Sequence, residues 1–411
     1  MLEKAIGFLL YVCEALKRVK MNYILFDGDV RNALLPFTYT RPVAEIRIGI
    51  LTIREKWEKY LGSTTTTVTE EYLEEKYPMV ELEENVLINA SFLPNRSLIE
   101  MVKNLKSNEA IFKGDDVIAF HTTEEQEEVN FDDYIQIEFE EEILQVKNTW
   151  DIFSLNDKAI QEDFKLVTEG RKSQPIPETV QCVGREHIFL EEGAKLTFAT
   201  LNATSGPIYL GKNAEIMEGV VVRGALAMCE NSVLKLGAKI YGATTLGPFC
   251  KVGGEVNNSV LFGYSNKGHD GFLGNSVLGE WCNLGADTNN SNLKNNYAEV
   301  KLWNYEAGRF SKTGLQFCGL MMGDHSKCGI NTMFNTGTVI GVSANIFGSG
   351  FPRNFVPSFS WGGASGFTEY KMNKVNEVAQ VVMKRRNIEY NELEQNILSA
   401  VFDETKQYRN Y

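Results

Sequence analysis

Only four histidines occur in the chain, and one, His269, lies in the run Tyr264-Ser265-Asn266-Lys267-Gly268-His269-Asp270-Gly271-Phe272-Leu273-Gly274. A neutral imidazole is the natural general base near pH 7. Glycines on either side let backbone approach a ligand, and Lys267 offers a charge for a phosphate. His269 is therefore the candidate catalytic residue. Cys282, a little further on, falls at a position that reads as core, so no cysteine nucleophile is expected. His325 reads as structural, and His121 and His187 receive no role.

A second constellation lies near the start. The apolar run Asn22-Tyr23-Ile24-Leu25-Phe26 leads into Asp27-Gly28-Asp29-Val30-Arg31, followed by Pro36, Thr38 and Pro42. A strand opening into a loop with glycine, arginine and acids can gather backbone N–H groups and a guanidinium around an anion. Gly28, Arg31 and Thr38 are the candidate nucleotide-binding residues. Asp27 and Asp29 are the nearby carboxylates for a metal.

These residues need a scaffold, and the chain supplies a repeat. Leu210, Ile216, Val222, Met228, Leu234, Ile240, Leu246 and Val252 recur every sixth position. Four places after each of the first seven stand Ala214, Val220, Leu226, Ser232, Ala238, Thr244 and Cys250. A period of six fits neither a helix nor a long strand, but it fits short strands that turn a corner each hexad and stack coil on coil. The reading is a parallel β-helix. The period returns at Phe272, Leu278 and Leu284, and again from Met322 to Ile346. The breaks at 254–271 and 289–321 are expected as loops thrown out from the prism, where chemistry tends to sit. Glycines that follow the aliphatic residue, as in Leu246-Gly247 and Ile340-Gly341, are expected at corners that demand positive φ.

Around the repeat, five regions are expected: an N-terminal extension at 1–20, an α/β domain at 21–150, a helical linker at 151–184, the β-helix at 185–350 and a helical tail at 351–411. The extension is apolar from Ala5 to Cys13, too short to span a membrane, and without a small-residue cleavage site, so Met21 is the more natural start. The acidic runs at 70–84 and 124–142 read as solvated faces. Within the second, Tyr134 to Phe139 alternates like a strand with one wet side. In the tail, Val375, Val378 and Val382 mark one amphipathic helix, and Leu393, Ile397, Leu398 and Val401 mark another, expected to cap the open end of the β-helix.

Composition narrows the function. A net charge of −13 argues against nucleic acid as a partner, while leaving room for a local basic pocket. The seven cysteines form no CxxC pair and read as reduced core residues. A cytoplasmic protein with no membrane partner is expected.

The residues from Arg31 to Pro42 resemble the loop of sugar-1-phosphate nucleotidyltransferases. That family's later Gly-Asp, whose acid holds Mg²⁺, is replaced here by Asn89-Ala90 after the strand Val86-Leu87-Ile88. The segment from Leu246 to Asn296 resembles the acetyltransferase half of the bifunctional GlmU family, which joins such a nucleotidyltransferase domain to a left-handed β-helix in the same order. The resemblance implies that His269 is the base, that Asn283 and Asn292 contact substrate, and that Phe272 stands where the family has a tyrosine. The family's basic phosphate contacts fall approximately at Lys235 and Lys251. It implies acetyl-CoA as co-substrate, Mg²⁺ in the nucleotidyltransferase domain, a sugar 1-phosphate and a nucleoside triphosphate as partners, and a homotrimer. The expected function is N-acetylation of glucosamine 1-phosphate followed by nucleotidyl transfer, with UTP the expected donor. Two other readings stay open: a nucleotidyltransferase for another sugar 1-phosphate, such as glucose 1-phosphate with dTTP, whose β-helix serves assembly, and a non-catalytic scaffold.

Overall fold

The computed structural model describes residues 21–123 and 129–411; the extension at 1–20 and the acidic residues Glu124 to Glu128 lie outside the described residues. The chain is an N-terminal α/β domain, then a left-handed parallel β-helix of about 10 turns, then a helical C-terminal part, as the repeat and the flanking patterns predict. Two compact units divide it. One comprises 21–28 and 54–145, the other 29–53 and 146–411. The span 21–150 is thus not one continuous unit, because 29–53 groups with the β-helix.

The first unit is built on a six-stranded sheet in the order Thr66–Val68, Asn22–Phe26, Glu84–Asn89, Asp116–Thr123, Glu109–Lys113, Ile135–Glu138. Its first three strands are parallel. Asn22–Phe26 and Glu84–Asn89 carry apolar runs, Tyr23 to Phe26 and Val86 to Ile88, that are mostly buried because these are inner strands with a neighbour on either side. The alternation at 134–139 does make a strand, but an edge strand that is wet on both faces: Ile135 is 64% exposed, and the flanking Tyr134 and Phe139 are the buried residues.

In the second unit the β-helix has three faces. One runs from Ile188–Leu190 to Phe355–Val356, one from Lys195–Leu196 to Ser360–Gly363, and one from Gln181–Val183 to Phe272–Gly274. Every hexad residue from Leu210 to Val252, and every partner from Ala214 to Cys250, is buried in the interior.

Three details differ from the sequence reading. Residues 254–271 are not a loop but further coils, with strands at Glu255–Asn257, Val260–Gly263 and Asn266–Lys267. The phase slips because this coil is shorter: Val233 pairs with Lys251, but Lys251 pairs with Asn266, three residues sooner. For the same reason Leu273, not Phe272, points into the core. The corner glycines are also selected differently. Gly247 and Gly341 do not have positive φ; the left-handed residue comes two places later, as Phe249 after Gly247, Trp281 after Gly279 and Ser343 after Gly341. Glycine is required because a Cβ at 247 would collide with the Phe262 carbonyl and one at 341 with the Ser358 backbone.

The second interruption is an excursion. After Asn289–Asn290 the chain leaves the prism and forms an antiparallel hairpin, Lys301–Asn304 with Arg309–Lys312, before returning at Leu320–Met322. At the C-terminal end the ladder is closed by Gly366–Glu369, which pairs antiparallel with Ser360–Gly363. The following helix, Met372–Lys384, expected as a cap, packs elsewhere. It lies beside the second face, burying Val375, Ala379 and Met383, with Val378 and Val382 only half-buried.

The first face is covered by the unit's own chain. Arg41 pairs with buried Asp324, which also accepts from the Thr40 hydroxyl at 2.8 Å and the Glu280 N–H at 2.9 Å. Arg47 donates to the Phe262 carbonyl at 3.1 Å, and Asp163 accepts from the Ile50 and Leu51 N–H groups. The helix Asn156–Thr168 is anchored by Asn156, which donates to the Ala243 carbonyl at 3.0 Å. The helices at 151–168 are therefore packed elements and not a free linker.

Candidate functional site

Parallel coils bring equivalent positions of successive hexads into register, so one ladder on the second face reads Val233, Lys251, Asn266, Asn283, Lys327, Asn345. The exposed corner beside it carries His269. The end of the Met372–Lys384 helix supplies Val382, Arg385 and Arg386 opposite, and Arg386 donates to the Asn266 amide oxygen at 3.3 Å. Between them lies a cleft of about 570 Å³ that contains His269, Lys235, Lys251, Asn283 and Lys327.

The cleft is basic in a chain of net charge −13. Burial lowers the pKa of Lys251, and the charges of Arg386, Lys235 and Arg385 lower it further. Burial also pushes Lys327 down to about 8, with its ammonium donating to the His325 carbonyl at 2.8 Å. Crowded cations of this kind are relieved by an anion. One wall is aromatic: Tyr264 and Trp281, each at a left-handed corner, stack at a centroid separation of 4.2 Å, and Phe249 stacks behind Tyr264 at 5.3 Å. His325 continues that stack against Trp281 at 6.2 Å. Cys282 is buried, its thiol donates to the Gly323 carbonyl at 3.2 Å, and burial pushes its pKa up. A thiol held so is a core group and not a nucleophile.

Of the residues singled out by sequence, His269, Lys235, Lys251 and Asn283 come together here. Lys267 does not line the cleft. It pairs with Val252, whose side chain faces inward, so Lys267 also points inside, 2% exposed, with its ammonium on the His269 carbonyl at 2.6 Å. Phe272 and Asn292 are elsewhere too: the Phe272 N–H donates to Asn289, and the Asn292 amide donates to Asn275 at 2.8 Å. Sequence reasoning missed Lys327, Arg385 and Arg386. The first could have been found by extending the Lys251 ladder; the others come from a helix whose docking no repeat predicts.

In the first unit, Gly28 has φ +62, and a Cβ there would meet the Asn89 amide at 3.3 Å. Asp27 is buried and accepts from the Thr69 hydroxyl at 2.6 Å. Asn89 is fully engaged: its amide donates to the Val117 carbonyl, and its oxygen accepts from the Ser91 N–H and hydroxyl. In the second unit, Asp29 is exposed and Arg31 is buried, donating to the Arg41 carbonyl at 3.4 Å. Thr38, expected to touch a nucleotide, is fully buried with its hydroxyl on the Arg31 carbonyl. Among the described residues no three acid, histidine or cysteine side chains are grouped to hold a metal. Asn89, beside the position at which the family's Mg²⁺-holding acid is expected, is committed to the fold, and its amide is a poorer ligand for that ion than a carboxylate.

Residues 23–172 match the family model described as sugar nucleotidyl transferase, and the fold of this part is α/β in its first unit. The match runs through both units and includes the helices at 151–168. No curated protein matches the chain in sequence. Among solved structures it is similar to a UDP-N-acetylglucosamine acyltransferase of Francisella novicida, at 14% identity over 52% of this chain and 76% of that one, with a TM-score of 0.19. At that score the likeness bears on neither substrate nor residues. Among the described residues no helix is long and apolar enough to cross a membrane.

Proposed function

We propose that the chain is a sugar-related transferase whose β-helix transfers an acyl group from acetyl-CoA to the amine of an amino-sugar phosphate, glucosamine 1-phosphate first among them. The observation that carries this reading is the convergence of His269 with Lys235, Lys251, Arg385 and Arg386 in one cleft. A base beside a cluster of cations suits a substrate that bears both a phosphate and a proton to be removed. The unprotonated imidazole of His269 takes a proton from the attacking amine as nitrogen adds to the thioester carbonyl. Collapse of the adduct expels the thiolate of CoA, which leaves with that proton. The cations hold the phosphate and orient the amine, and Asn283 offers an amide to the sugar or the carbonyl. No acyl-enzyme is needed, consistent with the buried state of Cys282.

The test is thiol release from acetyl-CoA with several amino-sugar phosphates, wild type against His269→Ala. Absence of transfer by the wild type rejects the reading. The match of residues 23–172 supports a second activity, nucleotidyl transfer from UTP or another nucleoside triphosphate to a sugar 1-phosphate. Pyrophosphate release with glucosamine, N-acetylglucosamine and glucose 1-phosphates decides it, and inactivity with every combination, with Mg²⁺ or Mn²⁺, leaves that domain a structural one. We also propose a homotrimer, since flat prism faces associate around a threefold axis. Exposed apolar residues at one corner of the β-helix, Leu236 and Ile330, favour association. Sedimentation as a monomer at micromolar concentration rejects it.

A further inference from the structure

Where the hairpin Lys301–Asn304 with Arg309–Lys312 leaves the β-helix, a second cavity of about 710 Å³ opens, and it shares no residue with the His269 cleft. Its walls are of two kinds. Trp303 and Phe355 stack at 4.2 Å, and Phe310 meets Trp303 edge-on at 5.5 Å. Around these rings stand Lys294, Lys301 and Arg353, with no carboxylate among the lining residues.

The rings are more than the hairpin needs for anchoring. Leu302 and Tyr305 are already buried, and Tyr305 packs edge-on against Phe355 and Tyr408. Phe310 nevertheless remains 40% exposed, and Lys301 and Arg353 are exposed. The indole Nε1 of Trp303 is buried without a hydrogen-bond partner among the described residues, a donor whose loss of water the fold does not offset. A ligand that satisfies the whole cavity must carry a flat π-face and more than one negative charge. Inorganic phosphate has no face to stack, and a nucleoside has no charge.

We propose that this cavity binds a nucleotide, its base against Trp303 and Phe310 and its phosphates among Lys294, Lys301 and Arg353. The nucleotide is either free or the nucleotide end of a larger cofactor; the chemistry of recognition is the same.

The experiment is photolabelling of the full chain with 8-azido-ATP and 5-azido-UTP, followed by digestion and peptide mapping. Label is expected in the peptide that spans 301–312, suppressed by excess unlabelled nucleotide but not by adenosine or pyrophosphate. Competition by UTP and by coenzyme A separates a free nucleotide from a cofactor's nucleotide end. Lys301→Glu with Arg353→Glu reverses two exposed charges, so the thermal melt is expected to stay unchanged while hairpin label falls at least about tenfold. Label confined to other peptides, or hairpin label indifferent to the charge reversal, overturns the proposal. Label in 23–172 reports on the nucleotidyl transferase-like domain separately, so the two readings fail independently.

Discussion

Inside the β-helix, the ammonium of Lys267 donates to the main-chain carbonyl of His269 at 2.6 Å. The corner that displays the imidazole is thus fixed from within by a lysine that occupies a hexad core position. Burial pushes Lys267 down to about 8, below its ordinary 10.5. A lysine lowered in the folded state favours the fold once it is neutral. Its contribution is present above the unfolded value and lost as pH falls through about 8. Thermal melts from pH 7 to 10 are expected to show stability rising with pH, and a smaller rise in Lys267→Met. In the same variant kcat is expected to fall more than KM rises, because the corner that carries His269 loses its inner anchor; an equal rise in both proteins removes the argument.

His269→Ala is expected to lower acetyl-CoA turnover by roughly 10²–10⁴-fold, the usual span for a positioned acid–base group. The residue is exposed at a corner, so the melt should not change. Thiol release at saturating substrate checks it, and retained turnover rejects His269 as the base.

Arg386→Glu, alone and with Arg385→Glu, is expected to raise KM for the phosphorylated substrate by about ten- to a hundredfold, the scale of one lost charge-assisted hydrogen bond. The effect should shrink with added salt, since these guanidinium groups sit at the mouth of the cleft. Initial rates at two ionic strengths measure both quantities, and an unchanged KM places the phosphate elsewhere.

Asn89→Asp places a carboxylate at the strand end, next to Ala90, the position at which the nucleotidyltransferase resemblance leads one to expect an acid. It also places a charge against the Val117 carbonyl, to which the Asn89 amide now donates. The variant is expected to lose about 1–3 kcal/mol of stability, the cost of an unsatisfied buried group, and to gain no nucleotidyl transfer. Denaturant unfolding and pyrophosphate release test the two halves, and gained activity would show that the strand end can serve as a metal site.

Arg41→Met leaves Asp324 buried without its guanidinium partner. A loss of about 3–5 kcal/mol is expected for a broken buried pair, and Arg41→Met with Asp324→Leu should recover much of it. Urea unfolding of the three proteins is the measurement; a single variant as stable as wild type would mean that Asp324 is rescued by Thr40 and the Glu280 N–H alone.

The hexad repeat wrote the β-helix directly into the sequence, since a coil that returns every three hexads must place Leu210, Ile216 and Val222 inside whatever else the chain does. His269 stood out by its residue type and its glycines, while Lys235, Lys251 and Asn283 were named through the family resemblance; the register of parallel coils is what brings the four to one cleft. Three things were not legible. A coil three residues shorter looks like a loop when only spacing is read, and so Phe272 was placed inward and Lys267 outward. The role of Arg41 and Thr40 was hidden because a short motif does not say whether its polar atoms face a ligand or the side of a β-helix hundreds of residues later. Arg385, Arg386 and the aromatic cavity of the hairpin depend on where a helix and an excursion dock. Contacts so distant in sequence leave no period; they are decided only when the tertiary structure brings the surfaces together.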